Sequence, residues 1–209
     1  MRVFKTPWLV QVLFPGPTWR RPTPAKTIFL TFDDGPIPGV TEFVLAQLAH
    51  FQARATFFCV GDNIRKYPEV AQLVAGAGHT LGNHTYHHLS GWQTPAPAYV
   101  KDIRQCQDEL EFIVPLKKNK LFRAPYGRLH PKQFRLLNQE YQVVMWDVLT
   151  YDFDKRLSAE VCLAQAIKNT KAGSIVVFHD SLKAWENLRF TLPRYLAHFT
   201  ALGYRFEAL

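Results

Sequence analysis

The sequence has little cysteine, no long apolar run and no repeat at a fixed period. Its three cysteines, Cys59, Cys106 and Cys162, are odd in number and widely spaced. That excludes a disulfide framework and a zinc knuckle. Cys59 lies in the apolar run ATFFCV and reads as a small core residue. Unpaired thiols lean weakly toward a reducing compartment. The N-terminal apolar stretch, Trp8 to Phe14, has seven residues including Gln11 and is bracketed by Pro7 and Pro15. It is far too short to cross a bilayer, short for a signal-peptide core, and followed by no small-residue cleavage site. Residues 1–25 are therefore expected to form a segment packed on the domain, and a peripheral contact with a membrane surface is the alternative. Low-complexity tracts are absent too, which excludes an array or a tethered linker.

What is present fits one globular unit. The chain has 209 residues, 47% of them hydrophobic and 20% charged, enough for one well-buried core and short for two full domains. Lys and Arg number 25 against 17 Asp and Glu, a net +8. The basic residues are scattered, with short clusters at Arg20–Arg21 and at Lys117, Lys118 and Lys120. No nucleic-acid motif accompanies them, so nucleic acid is not expected as a partner and a solvated basic surface is.

Short β-rich runs alternate with helical patterns. The candidate strands are Thr27–Phe32, Ala55–Val60, Thr80–Asn83, Leu121–Arg123, Gln142–Trp146, Ser174–Phe178 and Tyr204–Glu207. The candidate helices are Val40–His50, Tyr67–Ala77, Ala96–Val114, Pro131–Gln139, Ser158–Asn169 and Glu186–Leu202. This rhythm predicts a parallel α/β sheet covered by helices, either open or closed into a barrel. Residues able to do chemistry fall just past the strand ends: Asp33 and Asp34, His84 and His88, Arg123 to Tyr126, Asp147 and Asp152, His179 and Asp180. In parallel α/β folds those ends form the active face.

In HTYHH, His84 and His88 are four apart, a spacing that on a helix stacks two imidazoles on one face for one cation. Surface histidines would explain such a pair about as well. In TFDDGP, two carboxylates leave a strand before a Gly-Pro turn. A turn needs only one; adjacent side chains point apart, so one carboxylate can ligate a metal while its neighbour faces a bound water. Two His and one carboxylate leave coordination positions open, as in a catalytic site. In RAPYG, Arg123 can orient a carboxylate and a loop N–H can face an oxyanion, although a plain turn beside a salt bridge would look the same. In IVVFHD, His179 ends a buried strand. It is either a structural histidine or an acid whose tautomer and pKa a carboxylate such as Asp152 sets.

Taken in order, TFDDGP, GDN, GHTLGNHTYHH, RAPYG, WDVLTYDF and IVVFHD resemble the five motifs of the polysaccharide deacetylases, carbohydrate esterase family four. The resemblance runs from about Lys26 to Asp180. It implies a distorted (β/α)7 barrel, TIM-like and single-domain, with residues 26–209 as the catalytic domain. It implies Asp33 as general base, Asp34, His84 and His88 as metal ligands, Arg123 as the residue orienting the base, the main-chain N–H of Tyr126 at the oxyanion, Asp152 tuning the acid and His179 as general acid. Val177, two positions before His179, is expected to line the acetyl pocket with Phe153 and Pro125. Two departures are visible: Phe153 stands where the family usually has Trp, and Val177 where it usually has Leu. They bear on the groove wall and so on substrate choice. His87 matches no family role.

The expected activity is metal-dependent removal of N-acetyl groups from N-acetylhexosamine in peptidoglycan-, chitin- or lipid-linked-sugar-like substrates. One divalent ion is expected, Zn²⁺ first, with Co²⁺, Ni²⁺ or Fe²⁺ also suited to the ligands. The alternatives are an O-acetyl ester or other small-amide hydrolase on the same site, or a non-catalytic sugar-binding protein. The expected partner is carbohydrate, and the expected state a monomer. Wall substrates require export, and no export signal is legible; an incomplete start, unconventional export and a cytoplasmic precursor substrate all remain open.

Overall fold

A computed structural model describes residues 2–114 and 120–209. Lys117 and Lys118 of the basic cluster lie outside the described residues. The chain runs α1 (Trp8–Leu13), β1 (Thr27–Asp33), α2 (Val40–His50), β2 (Thr56–Cys59), α3 (Gly61–Lys66), α4 (Pro68–Gly76), β3 (Thr80–Asn83), α5 (Ala96–Ile113), β4 (Lys120–Phe122), α6 (Pro131–Leu137), β5 (Tyr141–Val143), β6 (Val148–Leu149), α7 (Ala159–Asn169), β7 (Ile175–His179), α8 (Trp185–Ala201) and β8 (Arg205–Glu207).

The strands order as β5-β4-β3-β2-β1-β7-β6, with β8 pairing β1 alongside that path. All ladders between them are parallel. The sheet curls into a distorted (β/α)7 barrel of one domain, as expected. β1 sits at its centre and is buried at all seven positions, which is why TIFLTFD reads as a continuous rather than alternating run. Phe32 stacks between Phe57 and Phe178 at centroid distances of 5.0 and 5.9 Å, and each such buried ring contributes ~1.5–3 kcal/mol. On α8 the buried residues Leu188, Leu192, Tyr195, Leu196 and Phe199 repeat at helical spacing and face the sheet.

Two expectations need correction. The barrel path does hold seven strands, but not the predicted seven. β6, two residues long, replaces β8 on the path, and the predicted strand Gln142–Trp146 is only Tyr141–Val143. The chain leaves β5 and crosses the barrel opening to reach β6. Residues of the N-terminal segment bond there: Thr18 N–H donates to Val143 O, Met145 N–H to Thr18 O, and Leu149 N–H to Phe4 O. Second, His84 and His88 are not on a helix. They lie in the loop after β3, with Thr85 and His88 at φ of 64° and 55°. The N-terminal stretch also contains a helix, α1, none of whose residues is buried, while residues on either side of it bond to the barrel.

Candidate active site

The strand ends bring Asp33, Asp34, His84, His88, Tyr126, Phe153 and His179 around one cavity of about 670 Å³. β1 delivers Asp33, and the turn that follows carries Asp34 at φ 82°. That turn is braced from β7's end. Asp180 Oδ1 accepts the Gly35 N–H at 3.1 Å, and Asp180 Oδ2 accepts the Thr41 hydroxyl at 2.7 Å. The approach is so close that a Cβ on Gly35 would lie 2.0 Å from Asp180 Oδ2, so only glycine fits. Burial pushes the Asp180 carboxyl up to about 8, and the Asp34 charge adds to this against the two hydrogen bonds.

Asp34 Oδ1 lies 3.2 Å from His88 Nε2 and 3.8 Å from His84 Nε2. The three ligand atoms fall within 4.8 Å of one another, and they form the one such cluster among the described residues. Both imidazoles are turned by their other nitrogen. His84 Nδ1–H donates to Arg123 O at 2.8 Å, and His88 Nδ1 lies 3.1 Å from the Tyr126 hydroxyl. Nε2 of each therefore faces Asp34, the arrangement that presents neutral imidazole to a cation. Burial pulls His84 down to about 4, against the opposing pull of Asp33, so its ring is neutral at pH 7. Burial alone would raise Asp34. Its bond to His88 and the charge of His179 lead the effects that outweigh that and hold it well below the usual carboxylate range. One carboxylate oxygen and two imidazole nitrogens fit a divalent cation with positions left open.

Asp33 is buried beside the cluster. Its Oδ1 accepts from Arg123 Nη1 at 2.7 Å. Arg123 is fully buried, and four further interactions fix its fork: Nη1 to the Thr31 hydroxyl, Nη2 to Met145 O, Nε to Val144 O, and the guanidinium carbon 4.1 Å from the Phe58 ring centroid. At the end of the neighbouring strand β7, where His179 is the register partner of Asp33, His179 Nδ1–H donates to Asp152 Oδ1 at 2.8 Å, and His179 N–H to Asp152 Oδ2 at 2.8 Å. Burial would lower His179; the Asp152 charge and hydrogen bond, with Asp34 and Asp33 behind them, raise it to about 9. The Arg123-held carboxylate and an imidazolium thus line the same cavity.

Phe153 lines the cavity, packed edge-on against His179 at 4.7 Å. Val177 and Pro125 are not among the side chains that line it. Val177 is fully buried in β7 between Thr31 and Leu149, and Pro125 is buried in its loop. The wall is Trp146, Leu149 and Tyr151 instead. Tyr126 sits at φ 60° in the loop after β4, with its ring largely exposed. Asp147 is not at the site. It is fully buried against Lys5, Arg20 and Ser174, and so ties down the N-terminal segment.

Sequence reasoning missed Asp102, on α5. Its Oδ1 accepts the N–H groups of Tyr86 and His87 at 2.7 and 3.1 Å, and its Oδ2 takes His87 Nδ1–H at 2.5 Å. One buried carboxylate therefore grips the loop midway between the two histidines that face Asp34. This also gives His87 a place: it turns away from the cluster.

A parallel (β/α) barrel with an Asp–His–His cluster beside a buried anion and an imidazolium defines a hydrolase of the metal-dependent class. The family described as Polysaccharide deacetylase matches residues 20–146. The chain is 34% identical over 194 residues to a peptidoglycan-N-acetylglucosamine deacetylase of Bacillus cereus, covering 90% of this chain and 89% of that one. It is 32% identical over 156 residues to a chitooligosaccharide deacetylase of Azorhizobium caulinodans, covering 74% of each. A solved peptidoglycan N-acetylglucosamine deacetylase, in complex with 4-naphthalen-1-yl-N-oxidanyl-benzamide, superposes with TM-score 0.88 at 28% identity, over 98% of this chain and 95% of that one. The chain belongs to the polysaccharide deacetylases, metal-dependent hydrolases that act on acetylated carbohydrate.

Proposed function

We propose that this protein removes N-acetyl groups from N-acetylglucosamine-containing glycans of the peptidoglycan or chitooligosaccharide kind, with Asp34, His84 and His88 holding Zn²⁺. The observation that carries the reading is that Asp33 and His179, register partners at the ends of the adjacent strands β1 and β7, line one cavity with the Asp34–His84–His88 cluster, one held by Arg123 and the other by Asp152. The names of the two curated relatives support the substrate class. The donor set, two imidazole nitrogens and one carboxylate, suits Zn²⁺ and also admits Co²⁺, Ni²⁺ or Fe²⁺.

Amide hydrolysis needs a proton taken from water and a proton given to the departing amine, because an amine anion is a very poor leaving group. Asp33 is the base; the pair with Arg123 fixes the direction of its carboxylate. His179 is the acid; Asp152 accepts from Nδ1, which leaves Nε2–H facing the cavity. A divalent cation held by Asp34, His84 and His88 would supply polarisation of the acetyl carbonyl and acidification of the attacking water. The main-chain N–H of Tyr126 is assigned to the developing oxyanion. Phe153 walls the acetyl side beside His179. Val177 and Pro125 support that wall from behind rather than contact substrate.

In this reading residues 26–209 are the catalytic domain and residues 1–25 an N-terminal segment, anchored by Lys5 and Arg20 on Asp147.

The test is acetate release from mono-, oligo- and polymeric N-acetylglucosamine and from acetylated xylan, after chelation and again after Zn²⁺ is returned. Metal-restored release from the N-acetyl oligomers is expected. Release from acetylated xylan alone would transfer the reading to an ester hydrolase.

A further inference from the structure

The face built by α1 is inverted relative to a soluble helix. Trp8, Leu9, Val12, Leu13 and Phe14 are each more than half exposed, Trp8 at 72%, and no residue of α1 is buried. Soluble proteins rarely leave so many large apolar side chains contiguous and open. Between α1 and the barrel runs a groove of about 400 Å³, whose walls include Leu13, Phe14, Trp19 on one side and Trp92, Leu129, Phe134 on the other. None of the groove's lining residues carries a charged, hydroxyl or amide side chain, and Trp19 Nε1–H already donates to Phe14 O. A sugar needs hydrogen-bonding partners that this lining lacks. Hydrocarbon does not.

The rim is cationic. The exposed Arg128 guanidinium lies 5.4 Å from the Trp92 ring centroid, and Lys132 and His130 line the shallow surface that continues from Trp92 and Pro131. An apolar centre with a basic edge, on a chain of net charge +8, complements hydrocarbon beneath anionic headgroups. A second copy of the chain fits worse, because a two-fold contact would bring two cationic rims together. No helix of the described residues is long and apolar enough to cross a membrane, so the contact would be peripheral. The groove also adjoins the catalytic cavity. Gly127 and Met145 line the groove, and their chain neighbours Tyr126 and Trp146 line the cavity.

We infer that α1 and the Trp92 groove form a peripheral docking face for an anionic bilayer, which sets the mouth of the catalytic cavity beside the membrane surface. This face is independent of the catalytic assignment and is tested apart from it.

The experiment is co-flotation of the full chain with vesicles of phosphatidylcholine, with and without phosphatidylglycerol, at low and high salt. Flotation several-fold greater with phosphatidylglycerol is expected, falling as salt rises. The double variant Trp8→Ser, Leu13→Ser removes exposed groups only. It should lose flotation with either vesicle while its melting temperature and its hydrolysis of a soluble N-acetylglucosamine oligomer stay unchanged. Lys132→Glu should lose the preference for phosphatidylglycerol. Absence of flotation with anionic vesicles would overturn the inference. So would flotation that survives the double variant, or light scattering that shows the face consumed by a dimer which the double variant dissociates.

Discussion

Arg123 and Asp33 form an ion pair in which both side chains are almost wholly removed from solvent, with Nη1 2.7 Å from Oδ1. Removing one member of such a pair leaves an unsolvated charge and costs more than the pair itself contributes, about 3–5 kcal/mol. The two members should therefore respond differently. Arg123→Met is expected to lower unfolding free energy by ~3–5 kcal/mol in chemical denaturation and to abolish acetate release. Asp33→Asn removes the base and the counter-charge but keeps an acceptor for Nη1. It should fold with a smaller loss.

His179 should define the alkaline limb of the kcat/KM profile. Burial lowers its pKa, and Asp152 more than restores it, to about 9. Asp152→Asn should move that limb toward lower pH. His179→Ala should slow an N-acetyl amide far more than an aryl acetate, whose phenolate leaves without a proton. Equal losses on both substrates with a lowered melting temperature would make His179 structural.

The same shift acts on stability. The folded-state pKa lies above the ordinary value of 6.5, so the protonated His179–Asp152 pair stabilises the native state fully below pH 6.5. That contribution should fade as pH rises through about 9. Denaturant midpoints of the metal-free protein between pH 6 and 10 should fall across this window, and the fall should be smaller in Asp152→Asn.

The metal ligands should separate from their supports by magnitude. Asp34→Ala and His84→Ala each remove a donor and should bind no stoichiometric Zn²⁺. Asp102→Ala removes no donor but frees the loop between His84 and His88, and should weaken Zn²⁺ by roughly 10–100-fold in a chelator competition. His87→Ala leaves both main-chain bonds to Asp102 and should weaken it less. Unchanged affinity in Asp102→Ala would reduce that residue to a fold contact.

The sequence makes the site visible where a functional side chain directly ends a buried strand. Asp33 closes β1 and His179 closes β7, and those strands are mostly apolar and buried because helices or neighbouring strands cover both faces. The i,i+4 spacing of His84 and His88 brought the right residues together for a wrong reason. Positive φ at Thr85 and His88 folds a loop that achieves what a helix turn would. β6 escapes notice because two residues carry no period. Asp102 escapes because its meaning lies in a partner 16 positions away, and Asp180 is visible as a strand-end residue but its bracing of Gly35, 145 positions away, is not. Val177 shares its strand face with His179 by alternation, but Thr31 and Leu149 pair on either side of it and it is closed off from the cavity.

The most direct test of the account measures zinc content and acetate release together, in wild type and Asp33→Asn, on one N-acetylglucosamine oligomer. One zinc per chain is expected in both proteins, because Asp34, His84 and His88 remain. Acetate release should fall by roughly 10²–10⁴-fold in the variant, the usual contribution of a positioned base. Zinc lost together with activity would make Asp33 a ligand, and activity retained with zinc bound would remove it as the base.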